Sequence, residues 1–374
     1  MTMEYAECII GVTHSDNIMN SLPAGPAALS DWLSLVVEQP MEPLLPIVDP
    51  HHHLWEDWSG NTSAPFVRTF GARNAMGEYL LDELCKDLAG NNVTHTVYLE
   101  CGAFYDKSAP KQLQPVGETV YCQKISEKMA VLDGTLICAG IIGKADLSLG
   151  REVGEVLDAH IAAGRNFKGI RDPCAYGEGA EVFEVAQDNN KLAGTAFREG
   201  FAELSPRGLI FETWLYHPQI PSLTDLAHSF PEQPIVCNHL GMPIGVCRFE
   251  NERGWGGAVA REWRESIKIL AEQPNVYMKL GGLPMPVCGL GFEKRAKPPT
   301  SEELAETMAP YINFAIDHFG VNRCMFESNF PVDKASCSYT VLWNAFKRIA
   351  MARGCDAVEM TALFSGTAKR VYSL

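Results

Sequence analysis

The chain has no Cys-x-x-Cys pair, although it contains 12 cysteines in 374 residues. Scattered cysteines, several of them inside apolar runs, indicate reduced, buried thiols rather than a disulfide framework. The sequence also lacks an apolar run of membrane-spanning length, and it has no basic start followed by a long apolar core. We therefore expect a cytoplasmic protein that has no membrane partner.

Positive charge is also scarce. Lys and Arg number 31 against 46 Asp and Glu, which gives a formal net charge of −15. This balance disfavours binding to phosphate backbones, so nucleic acid is excluded as a main partner. With 46% hydrophobic and 21% charged residues, the composition is typical of a globular enzyme, and we expect a small-molecule substrate.

Residues 1–44 contain Pro23, Pro26, Pro40 and Pro43, which interrupt any periodic pattern. We interpret them as an irregular N-terminal extension that wraps the rest of the domain or a neighbouring subunit. An arm of this kind favours a homo-oligomer.

Residues 45–374 alternate between short β-branched apolar runs and segments of helical periodicity. The strand candidates are 45–50, 96–101, 136–142, 167–171, 209–216, 234–239, 275–280 and 324–330. The helix candidates are 78–89, 117–131, 151–163, 191–204, 257–272, 302–319 and 337–353. This α/β alternation predicts a (β/α)8 TIM barrel. A doubly wound sheet is the alternative, but no Gly-x-Gly-x-x-Gly follows the first strand.

Five of the ten histidines lie at the C-terminal ends of three predicted strands. His51 and His53 follow the first strand and share one face, while His52 faces the other way. His217 ends the fifth strand and His239 the sixth. Functional residues of such barrels gather at these ends, and converging imidazoles are typical of a metal site. The opposing interpretation is a surface turn that happens to be rich in histidine.

Two motifs resemble the amidohydrolase superfamily over roughly residues 45–374. They are the opening Asp-Pro-His-His-His-Leu-Trp at 49–55 and the eighth-strand Ser-Asn-Phe-Pro at 328–331. Within the superfamily they are similar to the amidohydrolase-related branch (family 2), which includes 2-pyrone-4,6-dicarboxylate lactonase and sugar-lactone hydrolases. They are more distantly similar to the aminocarboxymuconate-semialdehyde decarboxylase branch.

The resemblance implies that His51 and His53 bind a divalent metal, with zinc preferred over manganese. It gives His217 the role of a third ligand or a substrate contact, and His239 that of polarising a carbonyl or moving a proton. The family's eighth-strand aspartate is Asn329 in this chain. An amide cannot take a proton from water, although it can orient water or stabilise an oxyanion. Operation without a metal therefore stays open.

Another residue must serve as the base, if a base is needed. The candidates are His239, Asp333 in the loop after the eighth strand, and Glu327, two residues before Asn329 on the same strand face. We favour His239 or Asp333, because a deep carboxylate such as Glu327 more often closes a structural hydrogen-bond network.

Arg171 ends the fourth strand and is a candidate for holding a substrate carboxylate as a bidentate fork. The alternative is an ion pair with Asp172 or Glu212. Glu100, after the second strand, is expected to approach the metal or to hydrogen-bond His51.

Four aromatic residues, Trp55, Tyr105, Trp214 and Tyr216, are expected in the pocket wall and core, and Trp55, Tyr105 and Tyr216 are the candidate substrate contacts among them.

Together these residues predict a hydrolase that opens a lactone or another ester, with an amide less favoured, of a small carboxylated molecule. A metal ion or the histidines would activate the water. Two alternatives stay open: a metal-dependent non-oxidative decarboxylase that uses the same histidines, and a catalytically silent barrel that binds a ligand.

Overall fold

The computed structural model describes residues 25–56, 63–71, 77–130, 134–177 and 179–374. Eight parallel strands form one sheet in sequential order. The last strand returns beside the first through a parallel bridge between His52 and Phe330. The sheet is therefore a nearly closed barrel with helices between its strands, which confirms the predicted (β/α)8 architecture.

The strands lie close to the predicted runs. They are β1 Ile47–His52, β2 Val93–Leu99, β3 Leu136–Lys144, β4 Phe167–Arg171, β5 Ile210–Thr213, β6 Ile235–Cys237, β7 Val276–Leu280 and β8 Cys324–Phe326.

The helices of the described residues are α1 Pro26–Leu33, α2 Ala64–Phe70, α3 Leu81–Leu88, α4 Val116–Ala130, α5 Val153–Ala163, α6 Thr195–Phe201, α7 Ile220–Ser229, α8 Ala258–Ala271, α9 Ser301–Phe319, α10 Tyr339–Arg353, α11 Ala357–Thr361 and α12 Thr367–Tyr372. Across the described ranges, none of these helices is long and apolar enough to cross a membrane.

Local sequence explains where several elements begin. Thr300 caps α9: its Oγ1 accepts the Glu303 N–H at 3.3 Å, and the Glu303 carboxylate accepts the Thr300 N–H at 2.8 Å. Helix α7 follows β5 and was not among the predicted helices; Pro221 lies in its first turn. Proline is tolerated in the first turn of a helix, where its missing N–H is not needed.

The described part of the N-terminal extension packs against the barrel's outer helices. The Glu38 carboxylate accepts hydrogen bonds from the Ser301 N–H at 2.8 Å and from Asn344 Nδ2 at 3.0 Å. Trp32 Nε1 donates to the Arg295 carbonyl at 3.0 Å. Residues 1–24 lie outside the described residues.

A buried ion pair occupies the barrel interior. Lys279 of β7 donates from Nζ to Glu212 Oε2 of β5 at 2.7 Å and to the Pro50 carbonyl at 2.8 Å, and both charged side chains are fully buried. Glu212 also accepts hydrogen bonds from Tyr372 at 2.6 Å and from Asn238 at 2.7 Å. Because buried charges are costly unless paired and hydrogen-bonded, each of these contacts is needed.

Replacing Lys279 with Met should therefore lower the free energy of unfolding by about 3–5 kcal/mol, because Glu212 is left as an unpaired buried charge. Adding Glu212→Gln should restore most of that loss. Urea denaturation of the single and double variants measures both changes. A loss below about 1 kcal/mol in the single variant would contradict this account.

Candidate active site

Asp49 fixes the C-terminal end of β1. Its fully buried carboxylate accepts the His51 N–H at 3.3 Å, the Ser328 N–H at 3.0 Å and the Tyr339 hydroxyl at 3.0 Å. Burial raises the pKa of Asp49, whereas the hydrogen bonds from Ser328 and Tyr339 act in the opposite direction. The carboxylate thus joins the ends of β1 and β8 and sets the direction of the His51 side chain.

His51 and His53 face each other at this end, with their Nε2 atoms 3.2 Å apart. His53 Nδ1 donates to the Leu99 carbonyl at 2.9 Å, and His51 Nδ1 lies 2.6 Å from Glu327 Oε2. The neutral His53 ring therefore carries its proton on Nδ1 and presents a lone pair on Nε2, whereas His51 Nδ1 also lies 3.4 Å from the Lys279 ammonium group, which can only donate. A cation or a proton between the two facing Nε2 atoms would stabilise this arrangement.

Glu327 contacts two imidazoles at once. Its Oε2 lies 2.6 Å from His51 Nδ1, and its Oε1 accepts hydrogen bonds from the His239 backbone N–H at 3.1 Å and from His239 Nδ1 at 2.7 Å. Gly282 makes room for this contact, since a Cβ at its φ of +72° would lie 2.6 Å from the His239 ring. The buried Glu327 carboxylate thus belongs to a polar network, and its partners in that network are the histidines of the site.

Residues in the left-handed region of φ occur at the ends of β6 and β8. His239 has a φ of +54°, Leu240 +57° and Asn329 +53°. Such conformations are costly for residues other than glycine, Asn less so, and they cluster at active sites where surrounding contacts enforce them. The two strand ends therefore hold their polar side chains in fixed positions.

Arg171 does not present a free guanidinium fork. It donates from Nε to Glu100 Oε1 at 2.8 Å and from Nη2 to the Glu100 carbonyl, and its Nη1 lies 3.5 Å from His51 Nε2. The alternative prediction, that Arg171 forms an ion pair with Asp172 or Glu212, is therefore wrong, because its partner is Glu100. Glu100 contacts Arg171 and does not hydrogen-bond His51, because the guanidinium group lies between them.

The charges around the histidine pair keep it neutral. Burial lowers the pKa of His51 well below its ordinary value, and nearby Lys279 lowers it further. Burial and Arg171 do the same for His53. Neutral imidazoles are the form that binds metals and accepts protons.

Among the described residues, His51, His239 and Glu327 form a group whose ligand atoms lie within 4.8 Å of one another. Two imidazoles and a carboxylate are a usual donor set for zinc, so these residues fit a divalent metal. The expected set was His51, His53 and His217. Glu327 and His239 belong to the observed group, although the sequence had suggested catalytic roles for them.

His217 lies outside this group. Its Nδ1 accepts the Ile244 N–H at 3.2 Å, and its ring packs edge to face on Phe249 at 5.3 Å. Burial, with a smaller effect of Arg248, lowers the pKa of His217 to about 4. These contacts suit a buried histidine that fixes the loop after β6.

A cavity of about 480 Å³ opens above the histidines. Polar side chains from six different strand ends or following loops reach it, namely His53, Glu100, Lys144, Arg171, His239 and Asn329. Lys144 was missed in the sequence, because β3 was expected to end at residue 142 and instead continues to this lysine.

Asp333 lies behind Asn329 and is fully buried. Its Oδ1 accepts a hydrogen bond from Asn329 Nδ2 at 2.9 Å, and burial raises its pKa well above the ordinary value. Asp333 is not among the described residues that line the cavity. It therefore positions the Asn329 amide. The expectation that Asp333 acts as the base from the loop after β8 is not supported by this placement.

Of the four predicted wall residues, Trp214 lines the cavity, and the other three lie outside its described lining. Trp55 is buried behind His53, with its ring stacked on the imidazole at 6.3 Å. Tyr216 is buried and donates to the Phe183 carbonyl at 2.8 Å, so it supports the wall from behind. Tyr105 lines a separate groove next to α4.

Comparison with known proteins agrees with this geometry. The family model described as Amidohydrolase (Amidohydro_2) matches residues 48–374. The chain therefore belongs to the amidohydrolase family, and it is an enzyme of the hydrolase class.

Two sequence relatives and one solved structure illustrate the likeness. The uncharacterized protein y4mH of Sinorhizobium fredii is 33% identical over 335 residues, which cover 87% of this chain and 98% of the relative. An L-fucono-1,5-lactonase of Burkholderia multivorans is 28% identical over 178 residues, or 48% of this chain and 56% of the lactonase. A zinc-bound amidohydrolase from Burkholderia multivorans superposes with a TM-score of 0.66 at 22% identity, covering 88% of this chain and 99% of that one.

Replacing Glu327 with Gln should weaken zinc binding by about 10- to 100-fold, because an amide is a poorer ligand and a poorer acceptor for the His239 Nδ1–H group. Competition with a zinc chelator measures the affinity. Glu272→Gln, at an exposed position, is the matched control. Equal affinities in the two variants would remove Glu327 from the metal site.

The lowered pKa of His217 predicts a pH-dependent stability. Below pH 6.5 the His217 imidazole binds a proton in the unfolded chain, whereas in the folded chain it does so only near pH 4. The free energy of unfolding therefore decreases as the pH falls through this range. In His217→Asn, whose amide oxygen can replace Nδ1 as an acceptor, the free energy of unfolding should fall less steeply, by up to about 1.4 kcal/mol per pH unit. Urea denaturation between pH 6.5 and 4.5 tests this, and parallel curves would refute it.

Proposed function

We propose that the protein hydrolyses a lactone or another ester of a small carboxylated molecule, with His239 as the proton carrier. The observation that carries the proposal is the Glu327–His239 pair at the floor of the cavity, 2.7 Å from oxygen to Nδ1. A buried carboxylate that holds an imidazole by Nδ1 leaves Nε2 as a base, and this arrangement recurs in hydrolases.

The reaction needs one water and one proton carrier. The water oxygen bonds to the ester carbonyl carbon while His239 Nε2 takes its proton. The bond from that carbon to the ester oxygen then breaks, and the same nitrogen returns the proton to the departing oxygen. Asn329 Nδ2 uses one hydrogen on Asp333 and has a second for the developing oxyanion.

His51 and His53 are the proposed zinc ligands, since their Nε2 atoms face each other, 3.2 Å apart, beside the cavity. Zinc bound there would polarise the carbonyl and lower the pKa of water. His51 also belongs to the group with His239 and Glu327, so assigning His239 to the proton is a choice that experiment can test.

A substrate carboxylate has a cationic partner at the rim. Lys144 and Lys191 both bind Asp172 Oδ1, at 2.6 and 2.7 Å, so two ammonium groups share one carboxylate. Lys144 lines the cavity. The local excess of positive charge favours an anionic group near Lys144, whereas Arg171 is already engaged by Glu100.

A pH-indicator assay against a panel of lactones, esters and aromatic acids tests the reaction. We expect proton release from a lactone or ester. His239→Ala should lower kcat by about 10²- to 10⁴-fold while zinc is retained, and His53→Ala should lose zinc. His228→Ala, at an exposed position on α7, is the control and should leave both unchanged.

Three results would contradict the proposal in different ways. Release of carbon dioxide with proton uptake would indicate a decarboxylase. Silence across the panel would favour a binding protein. Loss of zinc in His239→Ala would make His239 a metal ligand and leave the proton to another group.

A further inference from the structure

One side of the cavity consists of four aromatic side chains. Phe66 and Phe70 project from α2, Phe183 lies in the loop after β4, and Trp214 follows β5. Their ring centroids are 4.7 Å apart for the first pair, 5.5 Å for Phe70 and Phe183, and 5.8 Å for Phe70 and Trp214. We call these four residues the aromatic wall.

The rings of the aromatic wall form a continuous apolar surface. Phe183 and Trp214 are within 13° of parallel at 6.5 Å, and Phe66 meets Phe183 edge to face at 5.7 Å. The indole Nε1 of Trp214 is the only polar side-chain atom in the four. Val185, Met285 and Val332 extend the apolar lining.

The polar groups assigned to the reaction and to the anion subsite come from other strand ends than the four aromatic rings. His239 and Asn329 mark the reacting carbonyl, and Lys144 marks the anion subsite proposed above. A bound molecule that places its carbonyl at His239 must therefore place another part against the aromatic wall. Several hydroxyl groups there would lose water and meet a single polar side-chain atom, Trp214 Nε1, whereas a flat apolar group would exchange water for ring contacts.

We propose that the substrate is an ester or lactone with a planar aryl group, or an apolar group of similar size, bound against the aromatic wall. This inference rests on the proposed ester hydrolysis and specifies its substrate class. Polyhydroxylated sugar lactones fit the polar groups alone and are poor substrates.

Dihydrocoumarin serves as the aryl probe. Water adds its oxygen to the carbonyl carbon, the bond to the aryl oxygen breaks, and the phenol oxygen takes a proton. The product is 3-(2-hydroxyphenyl)propanoate with one proton released at neutral pH. δ-Valerolactone has the same six-membered lactone without the aryl ring, and L-fucono-1,5-lactone provides the polyhydroxylated comparison.

We expect kcat/KM for dihydrocoumarin, divided by its rate constant for hydrolysis by hydroxide, to exceed the same ratio for the other two lactones by about tenfold or more. The division removes the intrinsic reactivity of the phenol ester. An equal or higher ratio for L-fucono-1,5-lactone would overturn the inference while leaving ester hydrolysis intact.

A matched pair of variants locates the preference. Phe183→Leu removes a ring of the aromatic wall, and Phe314→Leu removes a partly buried ring of α9 outside the cavity. Phe183→Leu should reduce kcat/KM for dihydrocoumarin by about five- to tenfold and that for δ-valerolactone by less than twofold. Phe314→Leu should change neither. Equal losses on both substrates in Phe183→Leu would also overturn the inference.

Calorimetry separates this inference from the proposed reaction. If no ester is hydrolysed, the proposed function fails, but the affinity of the cavity for an aromatic acid can still be measured. We expect 3-(2-hydroxyphenyl)propanoate to bind at least about tenfold more tightly than L-fuconate, and Phe183→Leu to remove that difference. Similar affinities for the two acids would reject the aromatic subsite whatever the catalytic result.

Discussion

The contacts of Glu327 with His51 and His239 are the interaction on which the site depends. One fully buried carboxylate lies against a ring that follows β1 and a ring that follows β6, with oxygen-to-Nδ1 distances of 2.6 and 2.7 Å. Both rings present their Nδ1 side to this carboxylate. Without it the two imidazoles would lose the shared partner that sets their orientation.

Position 329 carries an amide where the resemblance implied a carboxylate. A buried carboxylate, Glu327, lies two residues earlier and contacts the histidines. Lys279 Nζ lies 3.4 Å from His51 Nδ1, the same nitrogen that Glu327 approaches. The positive charge of Lys279 is paired with the negative charge of Glu212, so the barrel interior does not need a charged histidine to balance it.

The sequence predicted the barrel well, because alternating strands and helices have distinct periodicities that need no tertiary information. It predicted the site less completely. Strand β8 was expected to continue to residue 330 but ends at Phe326, and Asn329 then adopts a left-handed conformation. Glu327 therefore lies just after the end of β8, whereas it was expected to lie deep within the strand. Arg171 was assigned the wrong partners, since neighbours in sequence say little about contacts between strands.

The sequence by itself determined the class of fold and the convergence of His51, His53 and His239, since the C-terminal ends of parallel strands meet at one end of a barrel. Only the tertiary structure decided that Glu327 joins His51 to His239, that His217 is turned into a loop contact, and that Phe66, Phe70, Phe183 and Trp214 share one wall. The reason is physical: strand order fixes which ends meet, whereas rotamers, loop paths and burial fix which atoms touch.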